Sequence, residues 1–297
     1  MTWVSYLIGI CLAFSLQTEE LPLFYWQTPK FVNFGDYLSL ELVERIVNEP
    51  LRVIKTVKPN TPRKLLAVGS ILRFARDGDV IWGSGVSGKS LYLDVFPFSD
   101  LEVKAVRGPL TREFLKQQKG IDCPEVYGDP VLLFPYFFPE FEKQENPQYE
   151  YLVIPHYSEV HLFPKTENVI YPTDPWDEIV QKILNARFVI SSSLHGIVLA
   201  EAYGIPARLL RVTEHEPLFK YQDYYLGSGR SQFQYASSVE EALQMGGEPP
   251  FICNLRKLYE SFPFEYWGIQ YAAISPIDRF LDYREYFEGR LLRLHRR

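Results

Sequence analysis

The chain has 297 residues, 46% of them hydrophobic and 15% aromatic, enough for one large core or two modest ones when domains run to about 100–200 residues. A formal net charge of -6 argues against a nucleic-acid partner, whose phosphates call for clustered Lys and Arg. Cys11, Cys123 and Cys253 stand far apart, with no C-x-x-C pair and no His at ligand spacing, so neither a zinc site nor a disulfide framework is suggested.

Residues 3–16 form an uncharged, mostly apolar run that ends in Gln17-Thr18-Glu19-Glu20. It fits the apolar region of a signal peptide, but no Lys or Arg precedes it, and it is shorter than the ~20 residues that span a bilayer as a helix. Residues 1–20 are therefore read as a signal, an anchor or an extension. The rest of the chain has no comparably long apolar stretch and is expected to be soluble.

From residue 21 onward, β-branched or aromatic runs alternate with helix-period segments, the pattern of parallel α/β units. A first strand is predicted over 21–26. After a loop, Leu38, Leu42 and Ile46, with Val43 and Val47 beside them, mark an amphipathic helix whose N-cap is Asp36. Strands are predicted over 64–68, 80–82 and 103–106, each ending in a Gly-containing turn. A helix over 110–118 follows, with Pro109 in its first turn.

The polar, Pro-containing stretch 139–148 marks a domain boundary. It separates an N-terminal Rossmann-like domain, 21–143, from a C-terminal one, 149–250. The second has predicted strands over 151–155, 169–171, 188–191 and 207–210, and helices over 177–185 and 194–203. Residues 251–297 read as a helical extension. Its last part, 281–297, is rich in Arg, Glu, Tyr and Leu, and either packs on the body or contacts a membrane surface. The fold class expected is α/β, two Rossmann-like domains with a binding cleft between them at the carboxyl ends of their strands.

The chemistry-bearing residues gather at those ends. Ser191-Ser192-Ser193 closes an apolar strand and opens a helix that begins Leu194-His195-Gly196, so unpaired N–H groups and hydroxyls converge on an anion site. The imidazole adds a general acid beside the anion, although a helix cap with a packed His fits the local sequence as well. Arg107, between a strand and Gly108-Pro109, is placed either to bind carboxylate or phosphate in bidentate fashion or to form a domain-surface ion pair. In Asn33-Phe34-Gly35-Asp36 a Gly and two short polar side chains suit a sugar or the cleft floor.

Gly83-Ser84-Gly85-Val86-Ser87-Gly88-Lys89-Ser90 satisfies both the G-x-G-x-x-G and the P-loop strings, but each requires a helix to follow. Residues 91–98 alternate like a strand instead, so Gly83, Ser84 and Gly85 are read as a cleft-lining turn. Asp129, in Gly128-Asp129-Pro130, is either a base for an acceptor hydroxyl or a turn-stabilising Asp.

Taken in order, Asn33-Phe34-Gly35-Asp36, Trp82-Gly83-Ser84-Gly85, Val106 to Glu113, Gly128-Asp129-Pro130, Ser192 to Gly196 and Ala200 to Pro206 resemble the motif series of the polysaccharide pyruvyl transferase family. Within that family the chain is most similar to the bacterial exopolysaccharide ketal-pyruvate transferases. The resemblance implies an arrangement like the glycosyltransferase B fold. It also implies an enzyme that moves pyruvate from phosphoenolpyruvate onto two hydroxyls of one sugar, with no cofactor beyond that co-substrate and no metal.

Carried over by motif, Arg107, Leu194 and His195 contact the donor, joined by Ser192, Ser193 and Gly196. The catalytic set is His195, Arg107 and Asp129, and the acceptor side is Asn33, Gly35, Asp36, Gly83, Ser84 and Gly85. The acceptor is a sugar or a lipid-linked glycan, and peripheral membrane association stays open. Because phosphoenolpyruvate is cytosolic, the resemblance implies the cytoplasm or the cytoplasmic face of the membrane. Two rival readings remain: a nucleotide-sugar transferase of the same two-domain type, using Glu214, Glu216 and Lys220, and a non-catalytic glycan-binding relative.

Overall fold

The computed structural model describes residues 21–48, 53–89, 91 and 93–269. The apolar segment 1–20 and the helix predicted over 281–297 lie outside the described residues.

In the first half, β1 (Leu23–Phe24), β2 (Lys55–Thr56), β3 (Leu65–Leu66), β4 (Asp79–Trp82) and β5 (Leu101–Ala105) pair in the order β2-β1-β3-β4-β5, all parallel. In the second half, β6 (Leu152–Ile154), β7 (Val189–Ser191), β8 (Ala207–Leu210) and β9 (Tyr235–Ala236) pair in sequence order, also parallel. Leu65, Leu66, Val80, Ile81, Val189 and Ile190 are all buried, because parallel strands are covered on both faces and so carry continuous apolar runs.

Helices α1 (Phe34–Val47), α2 (Pro109–Glu113) and α3 (Phe134–Phe137) belong to the first half of the chain. The second half adds α4 (Trp176–Leu184), α5 (Leu194–Ala202), α6 (Phe219–Gly227), α7 (Val239–Met245) and α8 (Leu255–Glu260). One apolar cluster runs through both halves: it takes Leu23, Leu65 and Trp82 from the first sheet and Leu152, Val189 and Leu209 from the second, with Leu38, Leu42, Ile197 and Val198 from α1 and α5. Nearly all of α5 is buried, from Leu194 to Glu201, as expected of a helix with no polar face. That burial fixes the position of its N-terminus.

The chain then returns to the first sheet. Trp82 Nε1 donates to the Leu258 carbonyl at 2.9 Å, Phe262 packs edge-on against Trp82 with centroids 4.9 Å apart, and Lys104 pairs with Glu265 at 2.7 Å. Part of the predicted helical extension therefore covers β4 and β5.

The structure departs from several sequence expectations. Helix α1 begins at Phe34 with Asn33 as its N-cap, which puts Asp36 inside the first turn, where a carboxylate faces the positive end of the helix dipole. Residues 169–171 are not a strand: Val169 makes a single bridge to Val153, and Pro172, which has no N–H, ends the pairing. Residues 91–98 hold a 3-10 turn at Leu93–Val95. Phe96 packs on both Phe98 and Phe114, which accounts for the aromatic positions in this stretch. The helix predicted over 110–118 passes after Glu113 into a π-helical turn, Phe114–Gln118.

Candidate functional site

A cleft of about 220 Å³ opens at the carboxyl ends of strands from both sheets. Trp26, Asn33 and Asp36 follow β1; Ser70 and Arg73 follow β3; Ser87 and Lys89 follow β4. From the other sheet come His156 and Tyr157 after β6, Ser193, Leu194 and His195 after β7, and Glu216 and Lys220 after β8. Parallel strands all present the same end, so loops distant in sequence converge there.

His195 lies in the first turn of α5, 7% exposed. Its ring packs directly on the backbone of α1: a Cβ added to Gly35 would lie 2.1 Å from His195 Nδ1. Gly35→Ala is therefore expected to displace the imidazole and to cost about 1–3 kcal/mol through overpacking. Urea unfolding and the ring proton shifts of His195 measure the two effects, and unchanged shifts would contradict the packing described here.

On its other side, His195 Nε2 lies 3.7 Å from Asp129 Oδ2. Both atoms are buried with no hydrogen-bond partner among the described residues. Burial first, then the charges of Arg107 and Lys220, press the imidazole down to about 3, so it is neutral near pH 7. Burial pushes Asp129 up to about 6, against the pull of the Val131 N–H and of Arg107. Asp129 also caps the following 3-10 turn, accepting from Val131 N–H at 3.0 Å, so the turn role read from sequence is met alongside its approach to His195.

Asp36 is pushed up to about 7, mainly by burial, while the hydrogen bond from Asn33 and the charge of Lys220 pull the other way. Asn33 Nδ2 donates to its Oδ2 at 2.8 Å. A carboxyl whose folded pKa lies above its unfolded value of 3.8 holds a proton that the unfolded chain has released. Stability is thus lost as pH rises from about 4 to about 7. Asp36→Asn, neutral throughout, is expected to lack this loss and to gain on wild type by a few kcal/mol across that window. Urea midpoints measured over the pH range test it, and parallel profiles for the two proteins would count against it.

Lys220, carried by α6, is buried and donates to Glu216 Oε2 at 2.5 Å. Burial holds its pKa below the ordinary lysine value, with Glu216 opposing. Glu216 also pairs with Lys89 at 2.5 Å and approaches His156 Nδ1 at 3.4 Å. Burial and Lys220 push His156 down to about 3. Glu214, by contrast, is largely exposed and faces Arg211 at 3.7 Å, outside the cleft lining.

Arg107 lies beneath the cleft, 1% exposed. Its Nε donates to Asp223 Oδ2 at 3.1 Å, and its two terminal nitrogens donate to Ser70 Oγ and to the Val86 carbonyl, both at 2.6 Å. Asp223 also accepts from Thr111 N–H and Oγ1 at 3.0 and 2.7 Å. The guanidinium lies over Gly85, whose added Cβ would fall 2.4 Å from Arg107 Cζ. Arg107 thus reaches the cleft through Ser70, and the cations that line the cleft are Arg73, Lys89 and Lys220.

The other motif residues divide between lining and support. Ser193 and Leu194 line the cleft. Ser192 Oγ accepts from His156 N–H at 2.8 Å and so links the loops after β6 and β7. Gly196 packs on Ser191 Oγ. Gly83, at φ +87, backs onto Pro130, Ser84 accepts from Arg107 N–H at 3.3 Å, and Gly85 donates to the Gly69 carbonyl. None of these three lines the cleft; they hold Arg107 and the Asp129 turn in place. Sequence reasoning passed over Trp26, Ser70, Arg73, His156 and Tyr157, although each follows a strand end and the same positional rule would have picked it out.

Two all-parallel sheets with a polar cleft at their carboxyl ends define a Rossmann-like α/β protein. Residues 33–214 match the family model for polysaccharide pyruvyl transferase, and the chain belongs to that family. Among individual proteins, it is 30% identical over 233 residues to uncharacterized protein L143 of Acanthamoeba polyphaga mimivirus, covering 74% of this chain and 79% of that one. It is 27% identical over 269 residues to the succinoglycan biosynthesis protein ExoV of Rhizobium meliloti, covering 85% and 75%. A crystal structure of the functionally uncharacterized protein KP1_0663 from Klebsiella pneumoniae aligns with a TM-score of 0.43 at 11% identity, over 74% of this chain and 94% of that one. Among the described residues, no helix is long and apolar enough to cross a membrane.

Proposed function

We propose that the chain transfers pyruvate from phosphoenolpyruvate to two hydroxyls of one sugar in a polysaccharide or its lipid-linked precursor, forming a ketal and releasing phosphate. The observation that carries this reading is the position of His195: it opens a buried helix beside Lys220, in the same cleft as Lys89 and Arg73. The donor has a phosphate and a carboxylate, and these suit the cations and the N–H groups of the first turn of α5. Work on a cytosolic donor favours the cytoplasm or the cytoplasmic membrane face, and the two sheets would close on the ligands as in glycosyltransferase B folds.

His195 has a stated task in this scheme. Bound anions raise its pKa from about 3, because opposite charge stabilises the imidazolium, and Asp129 at 3.7 Å steadies that charge. His195 then delivers its proton to the methylene carbon, which becomes a methyl group, and C2 becomes an oxocarbenium-like centre. A sugar hydroxyl bonds to C2 and its proton passes to the neutral imidazole. The C2–O bond to phosphate breaks with its electron pair, and the second hydroxyl closes the ring, its proton leaving with phosphate. Arg107 acts from below, through charge and through Ser70, instead of touching the donor.

Phosphate release from phosphoenolpyruvate, followed with and without a panel of bacterial glycans, tests the reaction class. Release that depends on a glycan is expected. No release with any glycan, together with binding of a nucleotide sugar, would favour the glycosyltransferase reading.

A further inference from the structure

The cleft holds a second kind of chemistry that the donor does not use. Trp26 comes from the loop after β1 and Tyr157 from the loop after β6, so each sheet supplies one ring. Their centroids are 5.5 Å apart, with planes at 41°. Phe31 packs on both, 5.7 Å from Tyr157 and 6.5 Å from Trp26. Trp26 and Tyr157 are only half-buried and both line the cleft, so each ring keeps surface that faces a ligand. A phosphate or a carboxylate gains nothing from the electron-rich face of an aromatic ring. The polarised C–H bonds on the flat face of a pyranose do gain from it.

Asn33 supplies an independent sign of a ligand. It is 8% exposed and lines the same cleft. Its Nδ2 is committed to Asp36, while its Oδ1 is buried with no hydrogen-bond partner among the described residues. A buried amide oxygen left without a donor carries its full desolvation penalty, and a sugar hydroxyl is a donor of the right kind. Asn33 opens α1, two residues before the Gly35 on which the His195 ring rests, so a hydroxyl held here lies on the helix turn that positions the acid.

We infer that Trp26 and Tyr157 form a stacking platform for a pyranose ring, with Asn33 Oδ1 accepting from one of its hydroxyls, and that this platform is the acceptor subsite. Assigning the ring to the acceptor rests on the pyruvyl-transfer reading; binding of a pyranose at this place does not. The two halves of the cleft then divide the work: the cations and the start of α5 take the anionic donor, and the aromatic pair takes the sugar. Because the rings come from different sheets, the platform exists only when both sheets are in place.

Saturation-transfer NMR on the full chain tests it, with methyl β-D-glucopyranoside and methyl β-D-galactopyranoside as probes and 31P line broadening of phosphoenolpyruvate as a parallel readout. Wild type is expected to show transfer to the ring C–H protons of at least one pyranoside. Trp26→Leu and Tyr157→Leu keep apolar bulk but remove the ring face, and should bind that pyranoside about three- to tenfold more weakly. Trp26→Phe and Tyr157→Phe should retain most of the affinity. Phosphoenolpyruvate broadening should be the same in all five proteins, which also reports that they are folded. Wild type that binds neither pyranoside, or Leu variants that bind as well as wild type, would overturn the subsite. Wild type that binds a pyranoside but not phosphoenolpyruvate would instead overturn the donor reading and leave the platform standing.

Discussion

Replacing His195 with alanine is expected to lower the rate of phosphate release by about 10²–10⁴-fold while the protein stays folded. The imidazole is neutral in its buried position, held down to about 3, so removing it uncovers no buried charge. The main structural consequence is a gap beside Gly35. Asp129→Asn is expected to slow the reaction less, because Asp129 acts through the imidazole at 3.7 Å and its side chain also caps the turn after it. Groups that act as a unit are not additive, so the double variant should be little slower than His195→Ala alone. Initial rates for the three variants, with urea midpoints as the folding control, give the comparison. A double variant slowed by the product of the single effects would separate Asp129 from His195.

Arg107→Leu is expected to be the most destabilising substitution at the site. The guanidinium and Asp223 are 1% and 0% exposed and 3.0 Å apart, and removing one partner of a buried pair leaves the other charge uncompensated, at about 3–5 kcal/mol. The surrounding backbone leaves little room for relaxation: a Cβ on Gly108 would fall 1.8 Å from the Asp223 carbonyl, and one on Gly227 would fall 2.1 Å from the Arg107 carbonyl. The loop after β5 and helix α6 are thus pressed together, with Arg107 as the clasp between the two halves. Arg107→Lys keeps the charge but loses the fork geometry, and should also be destabilised, though less than the Leu variant. In a double-mutant cycle, Arg107→Leu with Asp223→Leu should be more stable than Arg107→Leu alone. Equal urea midpoints for wild type and Arg107→Leu would contradict the clasp and favour the donor-binding role that the family resemblance implies for Arg107.

The strands legible in the sequence are those that carry apolar runs: Leu23–Phe24, Leu65–Leu66, Asp79–Trp82, Val189–Ser191 and Ala207–Leu210 inside the sheets, and Leu101–Ala105 and Leu152–Ile154 at an edge of each. Lys55–Thr56 and Tyr235–Ala236 are short edge strands that are partly exposed, so they carry no apolar run of the kind that marks the equally short but buried Leu23–Phe24 and Leu65–Leu66. Helix α6 does not register as an amphipathic helix in the sequence, because its buried face carries Lys220 and Asp223, which look like solvent-facing residues until Glu216 and Arg107 come beside them. The same reason hid the true setting of Arg107: its partner Asp223 lies 116 residues away, and pairing over that distance leaves no trace in local sequence. His195 was legible because its chemistry is local, a strand end followed directly by a helix start. Its contact with Gly35, by contrast, depends on α1 packing against α5.

The central claim is that carbon moves from phosphoenolpyruvate to a sugar at His195. Phosphoenolpyruvate labelled with 13C at its methylene carbon, incubated with the full chain and an acceptor glycan, tests this most directly. The account predicts a new 13C methyl signal at a ketal shift on the glycan, equimolar with the phosphate released and abolished in His195→Ala. Label that stays on free pyruvate, or a ketal methyl formed at the wild-type rate by His195→Ala, would contradict it.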